Sequence, residues 1–296
     1  MSRSLLIIGG TGFFGKSILH SFQRDLLTPY GIDRILVGAR NIESFQNKFP
    51  ELIDHRIELV KMDVSTVTKL PFAEIVIHSA ASADPRDYKA NPIDEKRNIE
   101  QSTSNYCQLA PLYHRFSKIV YCSSGAVYGE QPEDLEKMDE DFQFQDVSNF
   151  IEYKRDYTLG KRYAENEILK LASLGLNVSI ARCFAFHGKY LPRDQHFAYG
   201  NFIGAAERNE TIEVKANHRV VRSYMHADDL VDSLIKIALH SSPQCPIFNV
   251  GSDEAIEIRD LANQIGQQFN VPVILGHLTN RKIDRYVPNI DRLKKV

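Results

Sequence analysis

The sequence predicts an α/β fold, a doubly wound parallel sheet with a small C-terminal cap, on two observations. Short, almost continuous apolar runs alternate with helix-like stretches from the first residues, and a glycine-rich turn joins the first run to the first helix. Strands that are apolar along their whole length are buried on both faces, as in a parallel sheet covered by helices on each side.

The runs come in order. SLLIIGG opens the chain and GKSILHSFQRDLL follows with helical spacing. RILVGAR is the second strand, succeeded by a polar helical stretch through Phe49. IELVKMDV, EIVIHSAAS, KIVYCSS and NVSIARCF continue the series, each preceded by a helix or loop. Residues 185–221 lack clean alternation; a helix from Asp228 to His240 and the strand IFNVG then restore the pattern. The tail, 252–296, reads as helical and then irregular. Residues 1–184, joined again by about 222–250, are therefore expected to form one large domain, with 185–221 and 251–296 as the cap.

Bulk composition narrows the function. A length of 296 residues with 43% hydrophobic and 25% charged residues is ordinary for a globular enzyme. A net charge of -2 leaves no basic excess for a general nucleic-acid binder. No apolar stretch reaches the ~20 residues that span a bilayer, and LLII is too short for a signal-peptide core. Cys107, Cys122, Cys183 and Cys245 are scattered, without CxxC spacing, and read as reduced thiols in a cytoplasmic protein. The ten histidines form no zinc pattern, so no metal is expected.

The chemistry lies in three motifs. Gly9, Gly12 and Gly15 stand as GxxGxxG between first strand and first helix. Such a turn needs unusual φ, close backbone approach to a pyrophosphate and tight helix–strand packing, each served by glycine. The helix N-terminus adds amide donors and partial positive charge. Tyr157 and Lys161 form YxxxK in a helical stretch, one turn apart on one face. A lysine beside a phenol is expected to lower a pKa that starts near ~10, preparing Tyr157 for general acid or base work. Upstream lies CSSGAVYG at 122–129, with Ser124 three residues before the valine.

Together with HSAA at 78–81, these motifs resemble, in order and over nearly the whole chain, the extended short-chain dehydrogenases/reductases, the family of nucleotide-sugar epimerases, dehydratases and reductases with Rossmann folds. The resemblance implies a catalytic set of Ser124, Tyr157 and Lys161, with Lys161 also on the nicotinamide ribose. It implies a dinucleotide held by Gly9, Thr11, Gly12, Phe13, Phe14 and Gly15 of the turn. Asp63 and Val64 would meet adenine, and Ser79, Ala80 and Ala81 would line the nicotinamide ribose; Asn98 matches a structural asparagine. NAD-preferring members end the second strand with an acid on the adenosine ribose. Here Gly38 stands in that place and Arg40 follows, a partner for a 2′-phosphate, so NADP(H) is expected ahead of NAD(H).

The resemblance also implies a nucleotide-sugar substrate and a homodimer. RSYMHADDL places Arg222 on the substrate diphosphate, with His226 and Asp228 structural and Asp228 a helix cap. Asn201 would approach the nucleotide; Arg281 and Asp284 would contact diphosphate and ribose, although Ile283 replaces the family's glycine between them. In RCFAFHG, Ala185 replaces an asparagine that meets substrate in the family. The 4,6-dehydratases carry an Asp-Glu pair after the catalytic hydroxyl residue; Gly125 and Ala126 stand there and move no proton. The chain stops at RLKKV, where relatives continue through a final helix, so a short member or a truncation is expected. Two reactions remain: reduction of a 4-keto-6-deoxysugar by NADPH, and 4-epimerisation with tightly held NAD. A non-catalytic dinucleotide sensor would not keep all three catalytic residues, and a non-sugar ketone would not need the Arg222 and Arg281 clamp.

Overall fold

A computed structural model describes residues 2–80, 92–195 and 197–296. Its centre is a seven-stranded, all-parallel sheet of β1 (Arg3–Ile8), β2 (Ile32–Ala39), β3 (Ile57–Lys61), β4 (Ile75–His78), β5 (Lys118–Ser124), β6 (Asn177–Cys183) and β11 (Ile247–Val250). The spatial order is β3-β2-β1-β4-β5-β6-β11. The chain thus winds outward from β1 in both directions. The point of reversal, between β1 and β4, is where such sheets open a ligand crevice at their carboxyl ends.

Alternate residues of β1 explain its unbroken apolar run. Leu5 and Ile7 pack with Ile18, Leu19 and Phe22 of α1 (Phe13–Gln23) and with Leu230, Val231 and Leu234 of α6 (Ala227–Leu239). Leu6 and Ile8 face the other way, onto Ile99 and Tyr106 of α3 (Pro92–Tyr113) and Ala164, Ile168 and Leu171 of α4 (Glu152–Ser173). Both faces are dry, so neither strand face can be polar. A short α2 (Ile42–Lys48), capped by Asn41 on Ser44 N–H, follows β2.

The cap has its own core. Phe202 and Ala206 of α5 (Ala198–Glu207) meet Leu261, Ala262 and Ile265 of α7 (Ile258–Phe269) over Ile212 and Val214 of β8 (Ile212–Val214). β8 pairs with β13 (Val273–Leu275), and a three-stranded sheet runs β12 (Ile256–Glu257), β9 (Arg219–Arg222), β14 (Ile283–Tyr286). A two-stranded bridge of β7 (Phe186–His187) and β10 (Met225–His226) joins cap and sheet.

Three expectations need correction. The tail is not simply helical then irregular: β12 precedes α7, and β13 and β14 follow it. Strands of two to four residues are too short for alternation to register. Asp228 does not cap α6; the His226 ring accepts from Asp228 N–H at 3.2 Å, and Asp228 pairs with Arg24 instead. Gly38 does not end β2 but sits inside it, paired with Ile8 and Val60, where a Cβ would strike Met62. Gly38, Ala39 and Arg40 all border the crevice, Ala39 as the last residue of the strand and Arg40 just beyond it.

Candidate functional site

A cleft of about 2300 Å³ runs along the carboxyl ends of the strands and under the cap. Pockets for one drug-sized ligand hold roughly 300–1,000 Å³, so this one has room for a dinucleotide and a second ligand together.

The three glycines of the turn serve three different demands. Gly9 has φ +83°, and a Cβ there would lie 2.7 Å from the Ala80 backbone. Gly15 is buried, its missing Cβ directed into the Gly10 carbonyl, which lets α1 pack onto β1. Gly12 differs: its backbone is ordinary, and a Cβ there would meet nothing nearer than Gly9 O at 3.7 Å. Gly12 borders the cleft, so what its bareness admits is a ligand approaching the start of α1. A cradle that a Cβ would fill, at a helix N-terminus, fits a dinucleotide pyrophosphate. The nicotinamide ring of such a dinucleotide would supply or accept a hydride.

Thr11, Gly12, Phe13, Phe14, Arg40, Asp63, Val64, Ser79 and Ala80 line the same cleft, with Gly9. Gly15 lies behind it, and Ala81 falls outside the described residues. The Asp63 carboxyl accepts from Ser65 Oγ at 2.7 Å and Ser65 N–H at 3.0 Å, and these bonds, with the charge of Arg40, hold it below its usual pKa despite burial. Ser79 is tied to β1 through Ile8 O, by Oγ at 3.0 Å and by N–H at 2.9 Å. Its hydroxyl thereby fixes the loop at the sheet's switch point.

At the far end of the crevice β5 and α4 bring Ser124, Tyr157 and Lys161 together. Lys161 is buried and donates to Cys122 O at 2.9 Å and to the Tyr121 hydroxyl at 3.3 Å; its Nζ stands 6.0 Å from the Tyr157 ring centre. Ser124 Oγ accepts from Ala126 N–H at 3.2 Å, which orients it into the cleft. The expected lowering of the Tyr157 pKa is overturned. Burial pushes the phenol above 10.0, and the pull of Lys161 and the contact with Ser124 offset only part of the rise. Desolvation of the anion outweighs a charge that is itself shared with two other oxygens.

The substrate end is only partly as expected. Asn201, Arg222 and Asp284 line the cleft, whereas Arg281 does not; Lys282 and Arg285 on either side of Ile283–Asp284 do. Arg222 donates to Asp284 Oδ2 at 2.8 Å and to Asp284 O at 2.8 Å. Burial works against the Asp284 carboxylate, yet Arg222, Lys154 and His218 together keep its pKa below the usual value. Arg222 therefore borders the cleft with both terminal nitrogens engaged, Nη1 on Val221 O and Asp284 O and Nη2 on Asp284 Oδ2. Phe184 and Tyr286 also wall the reaction end, their ring centres 4.5 Å apart. Nothing in the sequence near Tyr286 announces this, because the residues it meets lie far away in the chain.

Among the described residues no group of three or more His, Cys, Asp or Glu is arranged to hold a metal, and no helix is long and apolar enough to cross a membrane.

A sequence profile of the NAD dependent epimerase/dehydratase family matches residues 5–251. The chain belongs to this family. It is an enzyme of the extended short-chain dehydrogenase/reductase type, in the nucleotide-sugar branch that the motif order suggested. It is similar to UDP-glucuronic acid decarboxylase 3 of Arabidopsis thaliana, 27% identical across 99% of this chain and 82% of the relative. It is also similar to the ADP-L-glycero-D-manno-heptose-6-epimerase of Brachyspira hyodysenteriae, 25% identical across 90% and 81%. Among solved structures, the dTDP-glucose 4,6-dehydratase of Streptomyces venezuelae, with NAD bound, superimposes with a TM-score of 0.79 at 18% identity, covering 99% of this chain and 90% of that one. The UDP-glucose 4-epimerase of Thermotoga maritima gives 0.77 at 17%, covering 99% and 91%. These likenesses confirm the Rossmann architecture.

Proposed function

We propose that this enzyme transfers hydride at C4 of a nucleotide-linked hexose, and that it works as an NADPH-dependent reductase of a 4-keto-6-deoxysugar. The observation that carries the reading is the Tyr157 phenol, held protonated by burial beside the Ser124 hydroxyl in the dinucleotide cleft. A ketone that accepts hydride at carbon must gain a proton at oxygen, and a phenol that keeps its proton through neutral pH is suited to deliver it. Ser124 donates to the same oxygen, and Lys161, buried beneath both, supplies positive charge as the proton leaves. Gly125 and Ala126 hold no group that could take a proton from C5, which disfavours dehydration. Arg40 at the end of β2 supports NADP(H), since a guanidinium there can meet a 2′-phosphate.

A second reading, nucleotide-sugar 4-epimerase with tightly bound NAD, uses the same three residues and is favoured by the epimerases among the chain's relatives. Exposed Tyr163 and Leu169 on α4, which packs along α3, support a homodimer through this helix pair.

The deciding experiment releases and identifies any nucleotide that copurifies, titrates the stripped protein with NADPH and NADH, and then offers UDP-4-keto-6-deoxyglucose with NADPH. Exchangeable NADPH, its oxidation by that ketone and its loss in Tyr157→Phe are expected. Stoichiometric NAD with interconversion of UDP-glucose and UDP-galactose would install the epimerase instead. UDP-glucuronic acid belongs in the same screen.

A further inference from the structure

Arg222 and Asp284 meet across the β9–β14 pair. In its parallel register Asp284 stands opposite Val220 and Tyr286 opposite Arg222, so the arginine reaches back along the sheet to the carboxylate. Nη2 donates to Asp284 Oδ2 at 2.8 Å and Nη1 to Oδ1 at 3.2 Å, the end-on fork of a bidentate pair. Nη1 also donates to Val221 O at 2.9 Å and to Asp284 O at 2.8 Å. A guanidinium tied to side chain and main chain at once has little freedom left. The pair is not sealed away: the two side chains keep 23% and 39% of their surface open, and both residues line the cleft.

What the guanidinium has left can be counted. Arginine carries five N–H groups in a rigid plane. Nη1 spends both of its own on these oxygens, and Nη2 spends one of two. The second Nη2–H and the Nε–H lie side by side on another edge of the plane. Among the described residues no protein acceptor takes either. Two parallel donors of this kind match two oxygens of a phosphate.

We propose that Asp284 is a positioning residue for the substrate's anionic group, fixing Arg222 so that its free Nε/Nη2 edge takes a phosphate of a nucleoside diphosphate, while Asp284 itself stays off the ligand. The motif resemblance would put Asp284 on the ligand; the geometry spends it on Arg222 instead. Two effects oppose each other here. The carboxylate cancels part of the attraction of Arg222 for a phosphate, and it also orders in advance a side chain with large rotamer freedom. Carboxylate and phosphate would occupy different edges of one planar cation, which stands between them, so the ordering prevails.

The inference rests on the nucleotide-sugar reading, and one set of titrations separates the two. UDP, dTDP, ADP and GDP are titrated calorimetrically into the wild-type enzyme, and the tightest is carried forward with its bare nucleoside. Asp284→Asn removes the charge, and Asp284→Glu keeps it but moves it by one methylene. Each should weaken the diphosphate by about five- to tenfold, the size of one hydrogen bond. Nucleoside affinity, dinucleotide affinity and thermal midpoint should hold. Arg222→Lys keeps the charge without the fork and should cost roughly tenfold or more, and in that background Asp284→Asn should add nothing further. Unchanged or tighter diphosphate binding in either Asp284 variant that folds overturns the inference alone. So does a loss that the nucleoside shares, which would put Asp284 on the ligand, or one that persists beside Arg222→Lys. A wild type that binds none of the four, or an Arg222→Lys enzyme that binds the diphosphate as wild type does, sinks the nucleotide-sugar reading of this end of the cleft and the inference with it.

Discussion

Glu165 and Arg182 form an ion pair with both side chains buried, joining α4, the helix of Tyr157 and Lys161, to the sheet beneath it. Arg182 Nη2 lies 2.8 Å from Glu165 Oε2, Arg182 Nε 3.0 Å from Oε1, and Ser123 Oγ donates to Oε1 at 2.6 Å. Glu165 stands one turn beyond Lys161 on α4, and Ser123 immediately precedes Ser124 on β5. The pair therefore sets the distance between the strand carrying Ser124 and the helix carrying Tyr157 and Lys161. Replacing Glu165 by Ala leaves a buried guanidinium without its partner, which costs about 3–5 kcal/mol. A urea titration should show the midpoint falling by a corresponding amount with an unchanged slope; a loss under 1 kcal/mol would mean the cluster hydrates freely.

Gly12 separates folding from binding. Its φ of -79° suits any residue, and an added Cβ meets no protein atom closer than 3.7 Å. Gly12→Ala should leave the thermal midpoint within a few degrees of wild type while weakening the dinucleotide by at least about tenfold. Unchanged affinity would move the pyrophosphate elsewhere.

Arg40 carries the cofactor preference. Arg40→Ala should weaken NADPH by roughly tenfold or more and NADH by less than about twofold, the difference being one charge-assisted phosphate contact. Isothermal titration with both nucleotides measures it. Equal losses would remove the basis for preferring NADP(H).

His78 makes the fold sensitive to acid. It is fully buried at the end of β4 among Tyr106 and Tyr121, neither ring nitrogen has a partner among the described residues, and burial lowers its pKa from 6.5 to about 3. The unfolded chain binds a proton there below about pH 6.5 while the native state does not, so falling pH favours unfolding through this window. From pH 8 to pH 5 the contribution is about 2 kcal/mol. His78→Phe, which keeps the ring stack, should lose less stability over that interval by this amount in denaturant melts at the two pH values. Parallel curves would show that His78 is protonated in the native state.

The sheet and the glycine turn were legible because their causes are local. Leu5 to Ile8 must all be apolar if both faces of β1 are covered, and GGTGFFG carries its three demands within seven residues. That Ser124, Tyr157 and Lys161 would meet in one cleft was legible through motif order. What escaped depended on partners distant in sequence or on a balance of forces. The Tyr157 pKa has two opposed causes, and only the degree of burial decides its sign. The pairing of Arg222 with Asp284 was not legible, because the two lie some sixty positions apart. Arg281 and Lys282 are neighbours in the chain, and only the path of β14 decides which one enters the cleft.

The route of β14 also orders events in time. The glycine turn, β5 and α4 have all emerged before residue 180 during synthesis, whereas α6, which covers one face of β1, follows them. The wall carrying Tyr286 follows more than a hundred positions later and pairs with β9 beside Gly125. A nascent chain thus carries its glycine turn long before the strand that brings Tyr286 to the cleft.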